Sequence, residues 1–275
     1  MVDWLIEPIG YAFVLRGLLA GLLASAACAS LSAFVVWRGM AFAGDAMAHS
    51  ILPGIVVAYV FGFSLFLGAM GAAIVAVVGI GLISRHGSLR EDTAIGVMFA
   101  GLFALGILLL SEVATFQDLS HVLFGNILGV SRSDLIAMIV VVAIVVIAVG
   151  FFYKELLVTS FDPAHAVAIG LSPEWIRYGL LGAVALTTVV AVQTVGVVLV
   201  LALLVTPAAS ASLLSRRMST IMLLSVAFAV VATLVGFYTS YYLDLSSGPA
   251  IVLALTLVFV LSWAVAHLSR KPRTT

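Results

Sequence analysis

The sequence predicts an all-α polytopic membrane protein with about nine transmembrane helices, and three observations support that prediction. Of its 275 residues 64% are hydrophobic and only 9% charged, with mean hydropathy +1.31, more apolar surface than one globular core can hide from water. The apolar residues fall into runs close to the roughly 20 that a helix rising about 1.5 Å per residue needs to cross hydrocarbon. Lys and Arg gather between alternate runs, as they do in short cytoplasmic loops.

The opening stretch "MVDWLIEPIG" carries Asp3 and Glu7 and no Lys or Arg, the wrong leader for a cleaved signal peptide, so the first apolar run, 13 to 37, is expected to be a permanent span. Gly17, Gly21, Ser25 and Ala29 recur every four residues along one side of it. Such a stripe lets a second helix approach closely, and a bundle with no transport role would use it equally. Runs at 46 to 60, 65 to 83, 93 to 112 and 135 to 152 give four more spans. The stretch 179 to 214 is nearly long enough to cross twice and reads as two short helices folding back near Gln193 to Gly196. Runs at 219 to 238 and 249 to 266 complete the set. With no linker, tandem repeat or low-complexity tract, residues 1–275 read as a single transmembrane domain.

Charge placement tests this count independently. With the carboxyl end inside, the cytoplasmic segments hold Arg38; Arg85 and Arg90; Lys154 and Arg177; Arg216 and Arg217; and Arg270, Lys271 and Arg273. Only Arg16 and Arg132 are left for the outside. Merging 179 to 214 into one span would separate Arg177 from Arg216 and spoil the segregation. The expectation is a multi-pass membrane protein with its carboxyl terminus cytoplasmic and its amino terminus outside. Twelve basic and twelve acidic residues cancel, so no nucleic-acid partner is expected. The one cysteine, Cys28, rules out a disulfide framework or a Cys-rich metal site.

The polar residues inside this apolar chain need a reason. "DAMAHSILPG", 45 to 54, sets Asp45 and His49 four apart, on one helical face about 40° from each other around the axis. Pro53 cannot donate to the His49 carbonyl, so Pro53 and Gly54 mark a helix break beside the pair. Broken backbone at membrane depth is tolerated where it lines a cavity or is buried in protein, and intramembrane ionisable groups point to function because they are expensive. The stretch reads as a cation station on a permeation path. A carboxylate with an imidazole suits Mn(II), Fe(II) or Zn(II), and the absence of thiolates disfavours Cu(I). The alternative is that Asp45 caps the second helix near the interface and His49 is a hydrogen-bonded packing residue.

"KELLVTSFDPAHAVAIGLSPEWIR", 154 to 177, is the longest polar interruption and reads as two helix starts. Asp162 caps, Pro163 takes the first helical position and Gly170 ends a short helix; Ser172, Pro173 and Glu174 repeat the signal. This short helix either docks a soluble partner or lies passively at the headgroups. On the opposite face Asp118 and His121 either meet a metal or a delivery protein or, the more ordinary reading for such loop residues, are simply solvated; Asp244 reads the same way, with Gly248 and Pro249 turning into the last helix. His86, His165 and His267 fall on the cytoplasmic side, and neither His86 nor His267 has a ligand partner at useful spacing. GxxxxGK[ST], HExxH and GxSxG are all missing. The chain therefore forms no P-loop, offers no catalytic residues and leaves ATP to another polypeptide.

Six stretches, in order over nearly the whole chain, carry a family likeness: "DAMAHSILPG", "REDTAIGVMFA" (90 to 100), "LFGNILGVS" (123 to 131), "KELLVTSFDPAHAVAIGL" (154 to 171), "VLVLALLVTPAASASLL" (198 to 214) and "DLSSGPAIVL" (244 to 253). The chain resembles the permease subunits of bacterial manganese and zinc ABC importers, the metal-type ABC-3 permeases. The resemblance implies a type II importer-like permease that pairs with a second copy of itself and forms the pathway between the copies. It implies two cytoplasmic ATP-binding subunits, an extracytoplasmic metal-binding protein, no permanently bound cofactor, and transported Mn(II) or Zn(II). In that family the residues matching Asp45 and His49 are implicated in coordinating the metal. The helix matching Asp162, Pro163, Ala166 and Gly170 is the coupling helix that meets the ATPase. The ion is expected to enter near the 113 to 134 loop. The alternatives are an ABC permease for chelated iron, a gradient-driven secondary transporter, which would need no docking helix, and a membrane enzyme, for which the chain displays too few acid, base or nucleophilic groups in one place.

Overall fold

The computed structural model describes residues 10–85, 91–113 and 127–269. Among them are nine helical spans long and apolar enough to cross a membrane. Span one is α1, Ala12–Trp37. Span two is made of two short helices, α2 (Ala43–Ser50) and α3 (Leu52–Phe61), separated by Ile51. Then come α4 (Leu65–Arg85), α5 (Glu91–Ser111) and α6 (Arg132–Phe151). Two short helices follow, α7 (Tyr153–Phe161) and α8 (Pro163–Ala168). The last four spans are α9 (Pro173–Val195), α10 (Val197–Leu214), α11 (Met218–Leu243) and α12 (Ser247–Ser269).

The hairpin expected near Gln193 to Gly196 turns at Gly196, whose φ of +88° only glycine adopts without strain. Its first arm is not short, because Pro173 sits in the first turn, where a missing N–H costs nothing, and α9 runs 23 residues. The polar stretch after the fifth span hides an extra helix: α7 continues from α6 past Phe152 and buries Leu156 and Thr159. Its Lys, Glu and hydroxyls read in sequence as a polar interruption ahead of the helix start at Asp162, yet they lie on an amphipathic helix.

The helices form two groups that meet chiefly through α9, with α10 also touching α2. In one, α1 is enclosed by α6, α10 and α11, with α12 packed outside α10 and α11. In the other, α2 and α3 pack on α5, and α3 on α4. α9 touches α1 and α6 on one side and α2 and α4 on the other. The small-residue stripe serves this packing: Gly17, Gly21, Ser25 and Ala29 are all buried. A Cβ on Gly21 would come 3.1 Å from Thr233 Cγ2 of α11, and Ser25 Oγ and Thr233 Oγ1 share a 2.5 Å hydrogen bond. Ser32 Oγ reaches across to α10, accepting from the Ala208 N–H (3.3 Å) directly after the internal Pro207.

Candidate metal pathway site

Helix α2 is eight residues long and carries both candidate ligands. Asp45 lies in its first turn, where the helix dipole favours a carboxylate. It does not cap the helix, because the N-cap is Phe42 and no side chain makes a capping hydrogen bond there. His49 Nε2 stands 3.7 Å from Asp45 Oδ1, an ion-pair distance too long for a hydrogen bond. Both side chains are partly open, 27% for His49 and 22% for Asp45. The buried His49 Nδ1 has no hydrogen-bond partner among the described residues. Met47, between the two, is buried.

The imidazole rests on α5. It stacks on Phe103 at 5.1 Å and 24° and on Phe99 at 5.8 Å and 30°, and the two phenyl rings stack on each other at 5.6 Å and 11°. Phe42 meets Phe99 edge-on at 5.4 Å. Phe99 and Phe103 lie near the middle of the 21-residue α5. At about 1.5 Å per residue His49 therefore sits roughly 12–18 Å from the Glu91 end, the mid-depth of a span.

The helix break falls at Ile51, directly after α2, with Pro53 in the first turn of α3. Gly54 lies inside α3. A Cβ on it would run into the Gly68 carbonyl, and one on Gly68 into the Gly54 carbonyl, so the pair lets α3 and α4 cross backbone to backbone.

A second polar group lies at the end of the bundle where α1 stops. Arg38 Nε donates to Ser160 Oγ (2.9 Å) and an Arg38 Nη donates to Thr159 Oγ1 (2.7 Å), tying α7 to the end of α1. Arg177 Nε and Glu91 Oε1 form an ion pair at 3.9 Å between α9 and α5. With Trp37, Pro163, Pro173 and Glu174 these residues line a cleft of about 370 Å³. Burial pushes the Arg38 guanidinium below its usual value, Glu91 draws it back up and Arg177 lowers it further.

The remaining candidates fall where the helix ends put them. Asp162 caps α8 by accepting from the His165 N–H (2.9 Å), Pro163 starts it, Ala166 is fully buried, and Gly170 follows with φ +83°. Ser172 makes no side-chain cap to α9. Asp244 ends α11 in the left-handed region at φ 52°, and His267 stacks on Trp263. Asp118, His121, His86, Arg90, Arg270, Lys271, Arg273, Asp3 and Glu7 lie outside the described residues. Sequence reasoning missed the Phe99 and Phe103 wall and the Arg38 cluster. The four-residue spacing of the two phenylalanines was visible, but not which helix they would face.

Residues 10–266 match the description "ABC 3 transport family". The chain belongs to the ABC 3 transport family. Its curated relatives include the "Manganese transport system membrane protein MntC" of Listeria monocytogenes, 41% identical over 256 residues, covering 93% of this chain and 91% of that one. A Haemophilus influenzae "Probable iron transport system membrane protein" is 39% identical over 268 residues, covering 98% and 99%. Among solved structures, "PsaBC from Streptococcus pneumoniae in complex with Fab" superposes with a TM-score of 0.84 at 32% identity, covering 95% of each chain. This member of the ABC 3 family is thus a metal ABC importer permease, a multi-pass transporter component.

Proposed function

We propose that this permease carries a bare divalent transition-metal ion, Mn(II) in the first instance, and that Asp45 and His49 hold it midway. The observation that carries this reading is the partly open pair at mid-span. Its two donor atoms stand 3.7 Å apart with no hydrogen bond between them. Two donors at ordinary first-row bond lengths around one ion are separated by roughly 3–4 Å, so one ion fits both. A carboxylate with an imidazole suits Mn(II), Fe(II) and Zn(II). Two ligands underfill a coordination sphere, and a second copy of the chain related by a twofold axis would supply two more. The Listeria relative's name supports manganese.

The end bearing Arg38, α7 and α8 faces the cytoplasm in this reading. There α8, held by Asp162, Pro163, Ala166 and Gly170, docks a separate ATP-binding subunit, one on each copy. The opposite end receives metal from an extracytoplasmic binding protein. ATP binding and hydrolysis then rock the two copies so that the ion leaves inward.

Uptake of Mn(II) and total cell metal, with the partner subunits co-expressed, test the site. Asp45→Ala and His49→Ala should each abolish accumulation while membrane insertion and complex assembly persist. Wild-type accumulation in both variants would remove the assignment. Breaking α8 with Ala166→Pro should leave metal binding intact and uncouple transport from ATP hydrolysis; full transport would remove the docking role. A second reading, iron import, follows the name of the Haemophilus relative. Competition of Mn(II) uptake by Fe(II), Zn(II) and a ferric chelate separates these cargoes, since a chelate needs neither ligand.

A further inference from the structure

We propose that Phe99 and Phe103 are positioning residues for His49: the aromatic wall on α5 orients the imidazole and so sets the affinity of the metal station. The inference rests on Asp45 and His49 being the ligands. A metal-ligating histidine ordinarily donates its second ring N–H to a carboxylate, carbonyl or water, which fixes tautomer and ring plane. Here His49 Nδ1 is buried without such a partner among the described residues. What constrains the ring instead is stacking, with Phe103 at 5.1 Å and Phe99 at 5.8 Å, both near parallel.

The wall is itself braced. The two phenyl rings stack at 11° on each other, and Phe42, in the turn before α2, closes on Phe99 at 90°. The three ring centroids form a near-equilateral triangle of 5.1, 5.8 and 5.6 Å, so both phenyl rings lie to one side of the imidazole and their faces resist its tilting out of plane. With the plane held, the ring's attachment to α2 leaves its Nε2 edge on the side of Asp45. The wall belongs to a different helix from the ligand: Asp45 and His49 ride on α2, Phe99 and Phe103 on α5. The aim of His49 therefore depends on how α5 lies against α2, whereas the Asp45 carboxylate has no ring contact of this kind. Simple apolar packing would be satisfied by any side chain of similar bulk. Orientation by stacking needs an aromatic face.

The test measures initial Mn(II) uptake against external Mn(II) in cells carrying the whole importer, with chain abundance and thermal midpoint measured alongside. Phe103→Leu keeps bulk and loses the face; it should raise the KM for Mn(II) roughly three- to ten-fold with the maximal rate nearly unchanged, the range an aromatic contact supports. Phe99→Leu should act in the same direction and more weakly, and Phe103→Tyr should restore the wild-type KM. An unchanged KM in both leucine variants would overturn the proposal. So would a tyrosine variant as impaired as leucine, or a change confined to abundance and midpoint. His49→Ala separates this failure from failure of the ligand assignment. Wild-type uptake in that variant sinks both, while loss of uptake there with normal KM in both leucine variants sinks only the positioning role.

Discussion

Among the described residues, two places bring acid and base together inside or beside the bundle, and they are built differently. Arg38 is knitted in, its guanidinium donating to Thr159 and Ser160 at 2.7 and 2.9 Å, although beside it the Glu91 and Arg177 pair stands 3.9 Å apart with Glu91 Oε1 and Arg177 Nε lacking hydrogen-bond partners among the described residues. The Asp45 and His49 pair is left underbonded, 3.7 Å apart and partly open, with an orphan Nδ1. Hydrogen bonds to a charged group stabilise a fold, while a polar group left without one costs free energy that only a ligand or solvent recovers. The difference teaches that the Arg38 guanidinium holds α7 to the end of α1, whereas the Asp45 and His49 pair keeps its donor atoms available.

That contrast can be broken experimentally, beginning where the effect is largest. Asp45→Asn and His49→Gln should cut Mn(II) uptake at least roughly ten-fold with no fall in the thermal midpoint of the purified chain; a midpoint drop matching the transport loss would make the pair structural. Arg38→Ala should do the reverse to the fold and cost about 1.5–3 kcal/mol, read from denaturation in detergent, because Thr159 and Ser160 lose a charged donor. An unchanged midpoint would show the cluster to be dispensable. Gly54→Ala, on the helix directly after the station, should cost about 1–3 kcal/mol by overpacking against Gly68, visible as a lower midpoint with the KM of the surviving protein unchanged. Ser25→Ala should cost only about 0.6 kcal/mol, the usual worth of a hydrogen bond between helices in a membrane; a much larger loss would make the Thr233 contact a linchpin of the α1 and α11 packing.

Much of the architecture was legible because lipid imposes one-dimensional rules. Spans must be long and apolar, so runs such as 13 to 37 and 65 to 83 mapped onto α1 and α4 within a few residues. Punctuation was legible too: Gly196 at the hairpin and Asp162 with Pro163 at α8 act through local backbone geometry. Helix α7 was not legible, since its polar residues are hidden by tertiary partners such as Arg38, more than a hundred positions away. The Asp45 and His49 spacing could be read, but not their depth, because depth follows from α2 packing on the middle of α5.

The amino-acid order alone dictates the number of crossings, the places where helices stop, and the presence of two ligand-grade side chains on one face, since all three follow from the hydropathy, propensity and spacing of near neighbours in the chain. Only packing in three dimensions settles that α5 lends its rings to His49, that α9 joins the two helix groups, and that Arg38 reaches α7. Those contacts join residues distant in sequence, and which surfaces meet is chosen by the whole bundle burying its small-residue faces at once.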